Sequence, residues 1–553
     1  AEICDWVPGN PARTLHEALQ CINFVHFVVT FIELPLVGWG IRLDKCCGQF
    51  YDDDIQAGRI TRDQAQELVE CLFVKNQETG YLHSPLWSGF GGGALGYQTL
   101  NIGGMDSSGK DITNEISYIV LDAMQAIRTV TPPLALRYHD GTPKKLVERA
   151  IEVIASGMPQ PAFFNDKVTI PRLVELGASI QDARNYSINN CMVPIISGKN
   201  RNHPSAWLNG IGLAGCLNEA LGIEPLPGYF KRQGHKMEAP EKVTSVEELI
   251  DATIENFAWL TQRLVKMGNI MDAVYKEFAP RPLLSALTDG CIDRAQDGRE
   301  WIEKPDYRDL IALGLNNTAD SLAAIKKLVF DEKKVSMETM IEALKNNWEG
   351  YEDLQEMCLA APKFGNDIDE VDAISAELGK RIKEETSKLK TNWGTSVIPD
   401  GTSGTVHYLF GSTCAATADG RKAKETFHDG SVSPMGGRDN KGPTAVLNSV
   451  SKVNPLNTWN HLFNQSFMPE HVTGRNAELF AQYIKTWADL GIHHVQFSAV
   501  GKDTLVDAQE HPSENANLLV RVAGYAAYFV DLSKIVQDQI ISRTPQAFSG
   551  PSC

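Results

Sequence analysis

At 553 residues with 43% hydrophobic content, the chain has ample material for a large core. Its formal charge of −17, from 52 Lys and Arg against 69 Asp and Glu, disfavours nucleic acid and anionic membranes as partners. Eleven cysteines at irregular spacing, with no CxxC pair, argue against a disulfide framework and against a zinc or iron–sulfur motif, and fit reduced thiols in a cytoplasm.

No Pro/Gly/Ser-rich linker, repeat or low-complexity run divides the sequence. One large domain is expected, of a size that a barrel with long insertions explains. No basic region precedes an apolar run, as a secretory signal requires. Residues 21–41 are long enough to span a bilayer, but Asn23, His26, Glu33 and Pro35 interrupt them. A buried helix followed by a turn is expected there, and no membrane span.

Residues 5–60 read as helices around an apolar core. Thr61 with Gln64 forms a capping box for a helix reaching roughly Phe73. Gly91, Gly93 and Gly96 satisfy G-x-G-x-x-G, but the following LNIGGMDSSGKD reads as strand and turn. A dinucleotide site needs a helix there, so a loop is the better reading. Residues 112–128 look helical and LALRYH (134–139) reads as a strand. Thr142 and Pro143 open a helix with Leu146, Ala150, Ile151 and Ile154 on one face. PAFFND (161–166) reads as a turn. Ser179 with Asp182 starts a short helix that ends before Ser187, and the chain then runs extended into Cys191.

A Gly-punctuated apolar helix is expected over 205–223. Ser245 with Glu248 caps another reaching about Met267. Amphipathic helices are expected over 308–330, 336–359 and 369–391. Residues 445–453 and 493–500 show strand-like alternation. Strands alternating with helices predict an α/β fold. His493 and His494 would project to opposite faces of a strand, a poor metal pair, and no metal site is expected.

Near the C-terminus lies RVAGY (521–525), inside LLVRVAGYAAYFVDL. A glycine Cα that loses a hydrogen atom shares its unpaired electron with the flanking amide groups, and a Cβ would crowd the flattened centre. Alone, such a glycine is ordinarily a bulge or kink in a strand. The longer run RVAGYAAYFVDLSKIVQDQIISRT (521–544) resembles the C-terminal motif of the glycyl radical enzymes, the family of pyruvate formate-lyase. The resemblance extends through RLD (42–44), GGMDSSGKDITNEISYIV (103–120), PAFFND (161–166), DARNYSINNCMVP (182–194), ADGRKA (418–423) and GPTAVLNSVSK (442–452).

That resemblance implies a ten-stranded barrel of two five-stranded half-barrels surrounded by helices. Residues 1–425 would form the barrel domain carrying the Cys loop, and 426–553 the glycine radical domain packed into the same barrel. The chain begins in a region matching the family's interior, so part of an N-terminal helical region is expected to be missing. Gly524 would store a post-translational radical, with no tightly bound cofactor. A separate activating enzyme with an iron–sulfur cluster and S-adenosylmethionine would install it. Cys191 would relay it to substrate as a thiyl. The Cys46–Cys47 pair lies in a different segment from the Cys191 loop and is not expected to be catalytic.

The residues after Cys191 divide the family. Dehydratases and several lyases and decarboxylases carry Cys-x-Glu, and here that position is Val193. Pyruvate formate-lyase would place a second Cys at position 190, which is Asn190. The resemblance therefore points to the fumarate-adding enzymes of the alkylsuccinate and benzylsuccinate synthase type. These join a hydrocarbon to fumarate without an acid or base. Another glycyl radical lyase, dehydratase or decarboxylase is the alternative. Lys199 and Arg201 are candidates to bind fumarate, and His407 is a candidate cavity residue on a strand. A cytoplasmic homodimer is expected, with or without small accessory subunits.

Overall fold

The computed structural model describes residues 1–33, 40–78, 98–199, 210–226, 235–298, 307–401, 405–457 and 460–548. Two compact units emerge. The first comprises Ala1–Asn202, Asp272–Asp306 and Ser466–Leu532; the second comprises His203–Met271, Tyr307–Gln465 and Ser533–Cys553. Among the described residues no helix is long and apolar enough to cross a membrane. The apolar run after residue 20 continues the helix Leu15–Val28 into a wider turn at Val29–Glu33.

Five strands of one sheet lie wholly in the first unit. Their order is Ile41–Arg42, Leu100–Gly103, Leu134–Tyr138, Ala162–Asn165 and His494–Ser498. The first four run parallel and the last pairs antiparallel, with His494 opposite Phe164. Helices Leu43–Gln56, Arg62–Glu78, Glu115–Ile127 and Lys144–Ala155 make the connections. The capping box is present: the Thr61 amide donates to Gln64 Oε1 at 2.9 Å, and its hydroxyl accepts from the Gln64 amide. Leu146, Ala150, Ile151 and Ile154 are buried as expected.

RLD and the GGMD segment interlock. Asp44 accepts from the Gly103 amide at 2.6 Å and the Ser117 hydroxyl at 2.9 Å, and Arg42 donates to the Met105 carbonyl at 2.9 Å. PAFFND is a strand at Ala162–Asn165 rather than a turn. Strands buried on both faces read as continuous apolar runs, with no alternation to mark them.

In the second unit Gly210–Gly212, Tyr307–Leu313 and Ser396–Asp400 form a parallel sheet. The expected helix over 308–330 is therefore a strand followed by the helix Leu315–Ile325, with Gly314 turning between them at φ +78°. Residues 445–453 belong to a helix, Pro443–Lys452, not a strand. Pro443 opens it, and Val446, Leu447 and Val450 form its buried face. The helix expected to reach Met267 runs over Val246–Phe278. Leu213–Ala220 is the helical part of the Gly-punctuated segment; its residues 205–209 and the Gly91–Gly96 motif lie outside the described residues.

Candidate active site

Two short hairpins in the first unit carry the two residues that the sequence singles out. Ser187–Asn189 pairs antiparallel with Val193–Ile195, Asn189 opposite Val193. The connecting turn is Asn190-Cys191-Met192. Asn190 has φ +52°, a left-handed conformation that asparagine tolerates better than most residues. Cys191 is 2% exposed, and Asn190 and Met192 are fully buried.

The second hairpin pairs Leu519–Arg521 with Ala526–Tyr528, Arg521 opposite Ala526. Its tip is closed by the Val522 amide donating to the Tyr525 carbonyl at 2.9 Å. Gly524 has φ +85°, where residues with a Cβ are strained. Val522, Ala523, Tyr525 and Phe529 are buried around it. Arg521 Nε donates to Gln496 Oε1 at 2.6 Å, fixing this hairpin to the His494–Ser498 strand.

The two tips touch. A Cβ on Gly524 would overlap the Cβ of Cys191 and lie 2.9 Å from its Cα and 3.2 Å from its carbonyl carbon. The hydrogen that occupies the side-chain position of Gly524 therefore faces Cys191. A glycine Cα–H and a cysteine brought together in a buried pocket, away from water, suit hydrogen-atom transfer.

Behind the cysteine hairpin is a buried ion pair. Arg137 donates from Nε and Nη2 to the two oxygens of Asp166 at 3.0 and 2.8 Å. It also donates to the carbonyls of Tyr186, at 2.7 Å, and Arg184, at 2.9 Å. The Tyr186 hydroxyl donates to Asp166 at 2.6 Å, and its ring lies 3.8 Å from the Arg137 guanidinium carbon. Burial and the neighbouring Asp166 carboxylate raise the Tyr186 pKa, so the hydroxyl stays protonated.

Lys199 pairs with Asp182 at 3.1 Å. Arg201 lies outside the described residues. His407 is on a helix, Val406–Ser412, rather than a strand, and its Nε2 meets Gln539 Oε1 at 2.6 Å. Burial lowers its pKa, so the ring is neutral. Cys46 and Cys47 sit on the helix Leu43–Gln56, not on either hairpin. His493 and His494 are buried against Phe164. Among the described residues no group of three or more His, Cys, Asp or Glu could hold a metal.

Sequence reasoning missed Arg137, although Asp166 and Tyr186 both lie in motifs it had marked. It also missed Thr99 and Asn101, which contact the cysteine hairpin. A polar residue inside a buried strand is a signal, since burial without a partner costs free energy.

Residues 1–411 match the family described as pyruvate formate lyase-like, and residues 428–530 the one described as glycine radical. Trans-4-hydroxy-L-proline dehydratase of Clostridioides difficile is 33% identical over 555 residues, 99% of this chain and 70% of the relative. Isethionate sulfite-lyase of Nitratidesulfovibrio vulgaris is 34% identical over 572 residues, 98% of this chain and 66% of the relative. The B12-independent glycerol dehydratase of Clostridium butyricum, solved with glycerol bound, superposes with a TM-score of 0.91 at 33% identity, over 99% of this chain and 69% of that one. The chain thus spans about two thirds of the length of these relatives and shares the fold of the solved one.

Fumarate addition is thereby overturned: these relatives are named for eliminating water or sulfite. A missing Glu at Val193 removes one acid or base but does not identify a reaction that needs none. The reason for a fumarate-binding cation at Lys199 or Arg201 goes with it. The chain belongs to the glycyl radical enzymes, on the side of the lyases and dehydratases, whose cofactor is an unpaired electron placed on a glycine of the chain after translation.

Proposed function

We propose that the chain is the catalytic portion of a glycyl radical lyase that eliminates water, or a comparable leaving group, from a small oxygenated substrate. Gly524 stores the unpaired electron and Cys191 relays it. The contact between the Gly524 and Cys191 tips carries this reading. The dehydratase and sulfite-lyase relatives support elimination as the reaction class.

A radical S-adenosylmethionine activating enzyme takes a hydrogen atom from Gly524. The buried tip must leave its socket for that encounter and return afterwards. Cys191 then gives its sulfur hydrogen to Gly524. The sulfur in turn takes a hydrogen atom from a substrate carbon bearing a hydroxyl group. The substrate expels the group on the neighbouring carbon, which leaves with a proton as the hydroxyl becomes a carbonyl. Cys191 returns its hydrogen to that neighbouring carbon. The net change is loss of HX and formation of a carbonyl product. Val193 is apolar and 4% exposed, so the proton travels through another group.

The test is product analysis. The full-length protein, activated anaerobically, is offered vicinal diols, hydroxyprolines, hydroxysulfonates and aryl acetates. Mass spectrometry should find a product lighter by water or sulfite, absent with Cys191→Ala. Loss of carbon dioxide alone, from an aryl acetate, would replace elimination with decarboxylation.

A further inference from the structure

We propose that Asn101 and Thr99 position the Cys191 thiol for hydrogen exchange with Gly524, a role that rests on the relay reading above. In the cysteine hairpin Ile188 lies opposite Pro194. The amide and the carbonyl of Ile188 both point away from that partner strand, as at a non-hydrogen-bonded pair, and meet Asn101. Its Oδ1 accepts from the Ile188 amide at 2.6 Å, and its Nδ2 donates to the Ile188 carbonyl at 2.9 Å. One side-chain amide thus takes the place of a neighbouring strand.

Asn101 sits fully buried in Leu100–Gly103, between Ile41–Arg42 and Leu134–Tyr138. Two residues earlier, the Thr99 hydroxyl donates to the carbonyl of Asn190. That carbonyl belongs to the peptide joining Asn190 to Cys191. Residues two apart in an extended segment share a face, so both side chains reach the same hairpin. They grip it three positions before the cysteine and immediately before it. Close approach is possible because Gly40 is bare: a Cβ there would lie 2.8 Å from the Ile188 carbonyl carbon and 3.0 Å from Ser187 Oγ. The facing tip carries Gly524 against Cys191, so a small shift of the cysteine hairpin changes the distance over which hydrogen moves.

The readout is hydrogen exchange at Gly524, which needs no substrate. The full-length protein is activated anaerobically and transferred to D2O, and the radical is followed by EPR. The Cys191 thiol exchanges its hydrogen for deuterium. Transfer of that deuterium to Gly524 breaks S–D and forms C–D; return of protium to sulfur breaks C–H and forms S–H. The α-carbon then carries deuterium, and the hyperfine doublet collapses to a singlet. Cys191→Ala must abolish the collapse; collapse in that variant sinks the relay reading itself. With that control in place, Asn101→Leu and the milder Thr99→Val should slow the collapse by about 10- to 100-fold at unchanged radical yield. Thr99→Ser should restore it. An unchanged rate in the variants overturns the positioning role and leaves the relay standing. Should Asn101→Leu fail to fold, Thr99→Val and Thr99→Ser decide the matter.

Discussion

The side-chain position of Gly524 is already occupied by Cys191: a methyl group there would overlap the cysteine Cβ and lie 2.9 Å from its Cα. Contact and a φ of +85° thus constrain the same residue. Gly524→Ala should cost at least about 2 kcal/mol, from left-handed strain of about 1–2 kcal/mol and overpacking of about 1–3 kcal/mol. It should also yield no glycine radical. Urea unfolding measures the first effect and EPR after activation the second. Wild-type stability in this variant would mean that the tips do not touch in solution.

Arg137 and Asp166 are both buried and bonded through two nitrogens. Removing either partner leaves a buried charge or its hydrogen-bonding groups uncompensated. Arg137→Met should therefore lower stability by about 3–5 kcal/mol, and the double variant Arg137→Met/Asp166→Leu by less. Arg137 also holds the carbonyls of Arg184 and Tyr186 at the base of the cysteine hairpin. A loss below about 1 kcal/mol in the single variant would contradict this account of the pair.

His428 is a neutral ring by geometry. Its Nδ1 donates to the Asp429 carbonyl at 3.2 Å and its Nε2 accepts from the Asn316 amide at 3.3 Å. Burial pushes its pKa down to about 4, whereas an unfolded histidine titrates near about 6.5. The unfolded chain binds the proton first as pH falls, so this group's contribution is intact above about 6.5 and is lost on the way down to about 4. Buried Asp320, pushed up to about 7 by burial, acts in the opposite sense over the same range. The comparison must therefore be a difference. Between pH 6.5 and 4.5, His428→Gln should lose less stability than the wild type, by up to about 1.4 kcal/mol per pH unit. Parallel curves from chemical denaturation would refute a neutral, buried His428.

Gly524 and Cys191 were singled out by long motifs that resemble the glycyl radical enzymes and not by their immediate neighbours, which at Cys191 include Asn189 and Asn190. The capping box at Thr61 and the helix after Pro143 were legible because their bonds and faces are local. PAFFND was not, because a strand covered on both faces loses its alternation. Pro443–Lys452 was not, because valines at helical spacing can imitate a strand. Asn101 was hidden for a different reason: its partner, Ile188, is 87 positions away, and no local pattern announces a side chain that completes a distant hairpin. The reaction class failed for a related reason. Val193 says that one position lacks a carboxylate, but a proton can reach substrate from any residue the fold brings near.

Activation of the full-length protein, wild type and Cys191→Ala, followed by EPR and product analysis on the same samples, tests the central claim most directly. Both proteins should hold the Gly524 radical doublet, and only the wild type should release a carbonyl product that has lost water or sulfite. Turnover by Cys191→Ala, or no radical at Gly524 under conditions that activate a known relative, would contradict the relay.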